Sequence, residues 1–328
     1  MVEAVRTGTG FPIPITALYE GATIAQLEQY ILEHADAKET PEIVELKPGD
    51  GGPSFFLLHG DMTGGGFYAR AIARALPPEQ GFYIIPPMSH ERFVASPTIE
   101  DMAAHHVEAV RRVQPHGPYM IGGYCVGGLV ALEIARRLRG EGESVDLVLE
   151  IDTSVYNTRF RPLWPLVSTL AFLARPTPPA RAVLRAYLMG RVRRVNQMPA
   201  LERLKYIAGF PFRYAARKLR KLARRTVPGG VVRGGAFDFP GMAPLHQVLL
   251  HHQRAMIGYM PKHYVGRVEL IRATRGGSAG RNPARDWSRI ARNLVVIPSD
   301  QTHHSILFTE LPELVRAAIA RVRRPPES

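Results

Sequence analysis

Positions 119–128, Tyr-Met-Ile-Gly-Gly-Tyr-Cys-Val-Gly-Gly, constrain this chain more than any other stretch. An apolar run enters a turn with glycine on both sides, and a helical run over 129–139 leaves it. A G-x-C-x-G set between strand and helix makes a turn so sharp that only small residues fit beside the central side chain, which is held exposed at the edge of a sheet. The following helix points its N-terminus at that side chain. Cys125 therefore reads as a nucleophile, the thiolate being the attacking species. A structural cysteine buried beside a glycine turn is the plainer alternative, and the strand before and helix after argue against it. As the single cysteine of the chain, Cys125 has no disulfide partner and no companions at zinc-ligand spacing.

A nucleophile on this kind of turn needs an acid and a base. The run Val145-Asp146-Leu147-Val148-Leu149-Glu150-Ile151-Asp152 reads as the next strand and places Asp152 at its carboxyl end, where it can hold a histidine in the required tautomer. Glu150 is a weaker candidate, because strand alternation points it elsewhere. The base is expected late in the chain, after the last strand, 294–298. Two neighbours compete there, His303 and His304, and spacing alone does not choose between them. Oxyanion stabilisation needs two backbone donors: the N–H of Val126, and one from the loop after the strand at 54–59, assigned to Asp61 or Met62.

The rest of the chain supplies the frame. Short apolar runs at 54–59, 83–86, 118–122 and 145–151 alternate with helical runs at 67–76, 99–113 and 129–139. That alternation predicts an α/β fold with a mostly parallel, doubly wound sheet. Ile43, Val44 and Leu46 form a possible first strand within a polar, Gly/Pro-rich linker. After Asp152 the alternation stops for about a hundred residues of Pro-punctuated, Arg-rich helical sequence. This reads as an inserted helical lid, about 155–260, before strands and a helix resume at 266–273, 294–298 and 312–322.

Charge is concentrated in that insert. Between Arg159 and Arg233 eighteen Lys or Arg residues face one acid, Glu202, within a formal net charge of +13. The arginine runs, such as 217–225, read either as a solvated amphipathic helix or as a surface for an acidic partner. Phe210, Phe212 and Tyr214 fit an acyl channel or core better than base stacking, so nucleic acid is not expected. His246, His251 and His252 are five and six residues apart, which lacks the i, i+4 match of a zinc pair. No metal is therefore expected, and His105 and His106 read as helix-surface residues. The first residues lack the basic flank and apolar run of a secretory signal, and no run of eighteen apolar residues occurs. A cytoplasmic location without membrane insertion is the expectation.

With these residues in place, the chain resembles the thioesterase domains that end non-ribosomal peptide and polyketide synthases, which have the α/β-hydrolase fold. The matching pieces, spread over residues 53–321, are FLLHGDMTGG with Tyr68 and Leu76, PYMIGGYCVGG, VDLVLEID, YMPKHYVGRVELIRA, Trp287 and HHSILFTELPELVRAAI. In that family the base stands three and four positions before a pair of apolar residues. This matches His303 with Ile306 and Leu307, leaving His304 as the alternative. The resemblance implies a thioesterase domain over 53–325 and a mobile lid over the substrate. It also implies no bound cofactor, and an acyl or peptidyl chain delivered on the phosphopantetheine of an upstream carrier protein. Residues 11–34, with ALYEGATIAQLEQYI, look like the end of a carrier domain, so 1–35 is expected to be its remnant and 36–52 a linker.

Two departures stand out. Relatives mostly use serine where this chain has Cys125, and the segment 299–302 before the base is longer than usual. An acyl-cysteine is again a thioester, so loading from phosphopantetheine is close to energetically neutral. The intermediate remains activated toward amines, which makes cyclisation or aminolysis as accessible as hydrolysis. Two rival readings are a dienelactone-hydrolase-like enzyme acting on small esters, which shares a G-Y-C-x-G-G turn but lacks the lid, and a non-catalytic module whose basic insert binds a carrier or nucleic acid.

Overall fold

Seven strands form one sheet: β1 (Val44–Lys47), β2 (Phe55–Leu58), β3 (Phe82–Ile85), β4 (Tyr119–Tyr124), β5 (Val145–Ile151), β6 (Tyr264–Ala273) and β7 (Ala291–Ser299). They are seen in a computed structural model that describes residues 42–60, 66–87, 98–175, 177–208, 243–276 and 283–323. The carrier-like stretch, Asp61, Met62 and the arginine run 217–225 lie outside the described residues. The spatial order is β1-β3-β2-β4-β5-β6-β7, with β1 antiparallel to β3 and every other pairing parallel.

Every residue of β2 and of β4 is buried. Continuous apolar strands are what a parallel sheet covered on both faces requires. Helices α1 (Ala69–Ala75), α2 (Ile99–Val113) and α3 (Val126–Gly140) alternate with the strands, and the order of the chain reverses between β2 and β4. On one face Met102 and Val110 of α2 pack with Leu129 and Leu132 of α3. The opposite face is covered by Ile72 of α1 and by Leu311, Val315 and Ile319 of the C-terminal helix.

Helix α2 begins and ends where its sequence pattern predicts. Thr98 accepts from the N–H of Asp101 (3.1 Å), and Asp101 accepts in return from the N–H of Thr98 (2.9 Å), a reciprocal cap written into T-x-x-D. Helix α3 starts three residues before its apolar periodicity does, because its first turn is the glycine pair after Cys125.

Between β5 and β6 the described residues are largely helical. A 3-10 turn (Tyr156–Leu163) leads into α4 (Trp164–Ala174), α5 (Pro178–Gln197), α6 (Ala200–Ala208) and α7 (Ala243–Gly258). Tyr156, Phe160, Val167, Met189 and Met260 form a small core of their own. Asn157 ties the ends of the insert together, its Nδ2 donating to the carbonyls of Ile257 (2.8 Å) and Tyr259 (2.6 Å). Arg159 pairs with buried Asp286 (2.7 Å) of α8 (Pro283–Trp287), which fixes the insert to the sheet domain. Helix α9 (Leu311–Arg323) closes the fold. Among the described residues no helix is long and apolar enough to cross a membrane.

Candidate active site

Cys125 sits at φ 56°, ψ −118°, immediately after β4 and immediately before α3. A non-glycine residue with positive φ costs about 1–3 kcal/mol and persists only where its surroundings impose it. Those surroundings are visible. A Cβ built on Gly123 would lie 2.3 Å from the carbonyl carbon of Gly127, so strand and helix approach more closely than any other residue permits. Gly60, just after β2, is equally tight: a Cβ there would lie 2.1 Å from the Tyr124 carbonyl oxygen and 3.1 Å from the Val126 nitrogen. The loop leaving β2 therefore runs beside the Val126 N–H. As the first residue of α3, Val126 has no partner for that N–H within the helix.

Asp152 follows β5 with φ 44°. Its own N–H donates to the Ile271 carbonyl (2.8 Å), and its Oδ1 accepts from the N–H of Ala273 (3.1 Å). Those two bonds aim Oδ2 at Nδ1 of His303, 2.6 Å away. The Cys125 side chain lies close enough to the same ring to raise its basicity. Cys125, His303 and Asp152 are thus brought near one another. Burial alone would lower the basicity of His303, but the interactions with Asp152 and Cys125 and their negative charge outweigh it and push the imidazole up to about 9.

Of the two competing histidines, the one beside Asp152 is His303. His304 is exposed, its ring edge-on to His303 with centroids 5.3 Å apart. The loop carrying them is well held. Ser299 donates to Glu310 (2.6 Å), Gln301 donates to Glu310 (3.1 Å), and Arg275 pairs with Asp300 (2.8 Å through Nε). Ile306 and Leu307 are buried beneath it.

Comparison with known proteins now bears on this geometry. Residues 55–161, spanning Cys125 and Asp152, match the family described as "Thioesterase domain". Over that stretch, about a third of the chain, the protein is similar to a thioesterase domain. Similar curated proteins are polyketide synthase PksR of Bacillus subtilis (strain 168), 32% identical over 126 residues, and malpinin synthetase of Mortierella alpina, 31% identical over 157 residues. These alignments cover 38% and 47% of this chain but only 5% and 2% of the relatives. The chain therefore spans a small part of the length of the curated relatives it matches. Among solved structures, the NocB thioesterase domain from the nocardicin cluster superposes with a TM-score of 0.54 at 21% identity. That superposition covers 86% of this chain and 99% of the other. At that identity the likeness speaks for the fold.

Some neighbours of the site were not legible in sequence. The Tyr124 ring stacks on His303 (centroids 4.7 Å apart, 25° between planes), and its hydroxyl donates to the His303 carbonyl (2.9 Å). Its place directly before Cys125 was the one available signal. Glu150 is fully buried and lies beside the first turn of α3, where a Cβ on Gly128 would be 2.1 Å from its Oε2. Burial holds that carboxyl well above the usual range. His106 corrects the sequence reading: it is buried, not on the helix surface. Among the described residues, no three His, Cys, Asp or Glu side chains are arranged to hold a metal ion.

Proposed function

We propose that the domain is an acyl-transferring thioesterase. In this reading Cys125 takes an acyl or peptidyl chain from the phosphopantetheine thiol of a carrier protein and passes it to water or to an internal amine. The hydrogen bond of His303 to Asp152, with Cys125 close to the same ring, carries the proposal. The Cys125 sulfur, as thiolate, attacks the thioester carbonyl carbon, and the oxygen gains the negative charge. Val126 N–H donates to that oxyanion, with a second donor expected from Asp61 or Met62. Collapse breaks the bond to the pantetheine sulfur, which leaves with the proton of the His303 imidazolium. Neutral His303 then removes a proton from the incoming water or amine as it attacks the acyl-cysteine carbonyl. The sulfur departs as thiolate, and the proton remains on His303. Asp152 keeps the ring oriented and stabilises its cation throughout.

The concentration of positive charge in the insert supports an acidic carrier as the donor of the chain, and the position of the insert after Asp152 supports a role as lid over the acyl group. Intact-protein mass spectrometry after incubation with an acyl-pantetheine thioester tests the central step. The wild-type chain is expected to gain the acyl mass and Cys125→Ala to gain none. An equal gain in the variant would remove Cys125 from the mechanism.

A pH dependence follows from the raised basicity of His303. The imidazolium that protonates the departing sulfur is lost above about pH 9, so acylation by a thioester should decline there. Alkylation of Cys125 by iodoacetamide needs only the thiolate and should not decline. Parallel profiles for the two reactions would refute proton donation by His303. The same shift has a sign for stability. Folded His303 keeps its proton up to about pH 9, against an ordinary value of 6.5. Its contribution is therefore complete below about pH 6.5 and fades as pH rises toward 9.

A further inference from the structure

Two buried polar residues flank Asp152, and the reaction outlined above uses neither. Glu150 precedes it on β5 and Thr153 directly follows it. A polar side chain taken out of water carries a cost that an apolar residue at the same place avoids, so two of them beside the acid call for a role. Both reach the same spot. A Cβ built on Gly128, in the first turn of α3, would lie 2.0 Å from Thr153 Oγ1 and 2.1 Å from Glu150 Oε2. The turn that follows Cys125 is therefore seated directly on these two side chains.

Thr153 is fixed at both ends. Its carbonyl accepts from Trp287 Nε1 (2.9 Å), and its hydroxyl donates to the Ile151 carbonyl (3.4 Å). That same carbonyl accepts from the Cys125 N–H (3.1 Å). One acceptor thus joins the residue after the acid to the residue that carries the sulfur. Glu150 stands opposite Gly123 of β4 on one side and Leu270 of β6 on the other. Its backbone is held between the strand that leads to Cys125 and the strand whose Ile271 and Ala273 fix Asp152. Burial raises its carboxyl well above the usual carboxylate range, and the Thr153 side chain offsets only part of that. An uncharged group at this place leaves the positive end of α3 to the Cys125 thiolate and the oxyanion, whereas a carboxylate would compete with them for it.

We propose that Glu150 and Thr153 are positioning residues, which hold the acid-bearing end of β5 in register with the turn that carries Cys125. The inference rests on the thioesterase reading above and adds to it the groups that fix the distance between nucleophile and acid. Neither residue touches the reacting atoms. Glu150 acts by its shape as a neutral group, and Thr153 by the carbonyl it shares with Cys125.

The test applies two measurements to the full chain. Alkylation of Cys125 by iodoacetamide at pH 7 reports the surroundings of the sulfur and needs no thioester, and single-turnover acylation by an acyl-pantetheine thioester reports the reaction. Glu150→Gln keeps the shape without charge and is expected to match the wild type in both. Glu150→Ala and Thr153→Val are expected to slow alkylation by about threefold to tenfold, because the thiolate loses its alignment with the N-terminus of α3. Their maximal acylation rates should fall by about a hundredfold and about tenfold respectively, with the half-saturating thioester concentration unchanged. A role in packing alone would lower their melting temperatures and leave alkylation at the wild-type rate, and that result overturns the proposal. So does a Glu150→Gln chain as slow as Glu150→Ala, since charge rather than shape would then be required. Should Glu150→Ala fail to fold, Thr153→Val, which exchanges one hydroxyl for a methyl, decides by the same criteria. A wild-type chain that is alkylated but never acylated ends the thioesterase reading, and the alkylation rates of the variants still judge the positioning role.

Discussion

Replacing Asp152 with asparagine is expected to slow acylation of Cys125 by roughly 10³–10⁴-fold while leaving the fold intact. The reason lies in the bonds that hold the side chain. Oδ1 accepts from the Ala273 N–H, and an asparagine must keep its oxygen there to avoid opposing two donors. Its NH2 group then occupies the position of Oδ2, 2.6 Å from Nδ1 of His303. A donor at that point forces Nδ1 to accept, which moves the ring proton to the nitrogen facing Cys125. A ring in that tautomer is unable to take the thiol proton. Single-turnover acylation followed by mass spectrometry measures the effect, with circular dichroism to check the fold. An Asp152→Asn rate within tenfold of wild type would show that the tautomer of His303 is set by something else.

Adding one methyl group at Gly123 should be nearly as damaging, by a different route. The new Cβ would meet the Gly127 carbonyl carbon, a backbone atom, at 2.3 Å. Neither has a rotamer with which to yield, so strand and helix must separate. Overpacking of this kind costs about 1–3 kcal/mol, or roughly 2–10 °C in melting temperature for a domain of this size. The activity loss should be greater than the stability loss. A displacement of about 1 Å at the nucleophile costs on the order of a hundredfold in rate. Gly140→Ala, at the far end of α3, is the control: a Cβ there has nothing within 4 Å, and both melting temperature and acylation should be unchanged. Equal behaviour of the two variants would mean that the tight turn does not determine the placement of the sulfur.

The first prediction depends on contacts between residues far apart in the chain and the second on residues four positions apart, and these were unequally legible in sequence. The nearness of Cys125, Asp152 and His303 could be anticipated because each follows the carboxyl end of its own strand. A parallel sheet brings all such ends to one edge, so Cys125, Asp152 and a late histidine had to lie near one another. His303 was preferred over His304 from the apolar pair at 306 and 307, and those residues are buried under the loop. Val126 is proposed as an oxyanion donor from its position in the turn. The second donor, read as Asp61 or Met62, falls outside the described residues.

What the sequence by itself determined is what depends on neighbours a few positions away. These are the strand and helix alternation, the cap that starts α2 at Thr98, and the glycines that make the turn at Cys125. They also include the placing of Asp152, rather than Glu150, just beyond the strand end. What only the tertiary structure decided is which distant side chains share a space. Asp152 and His303 are 151 positions apart, and their 2.6 Å contact is set by the Ile271 and Ala273 backbone, on a strand belonging to neither. Tyr124 could have faced solvent, yet it stacks on His303. His106 looked like a surface residue because helical periodicity reports which positions align along one helix, and not what another helix lays over them. Its burial with His59 and His252 arises where β2, α2 and α7 converge. Local patterning is encoded by steric and hydrogen-bonding preferences within a few residues, whereas packing partners are chosen by the whole fold.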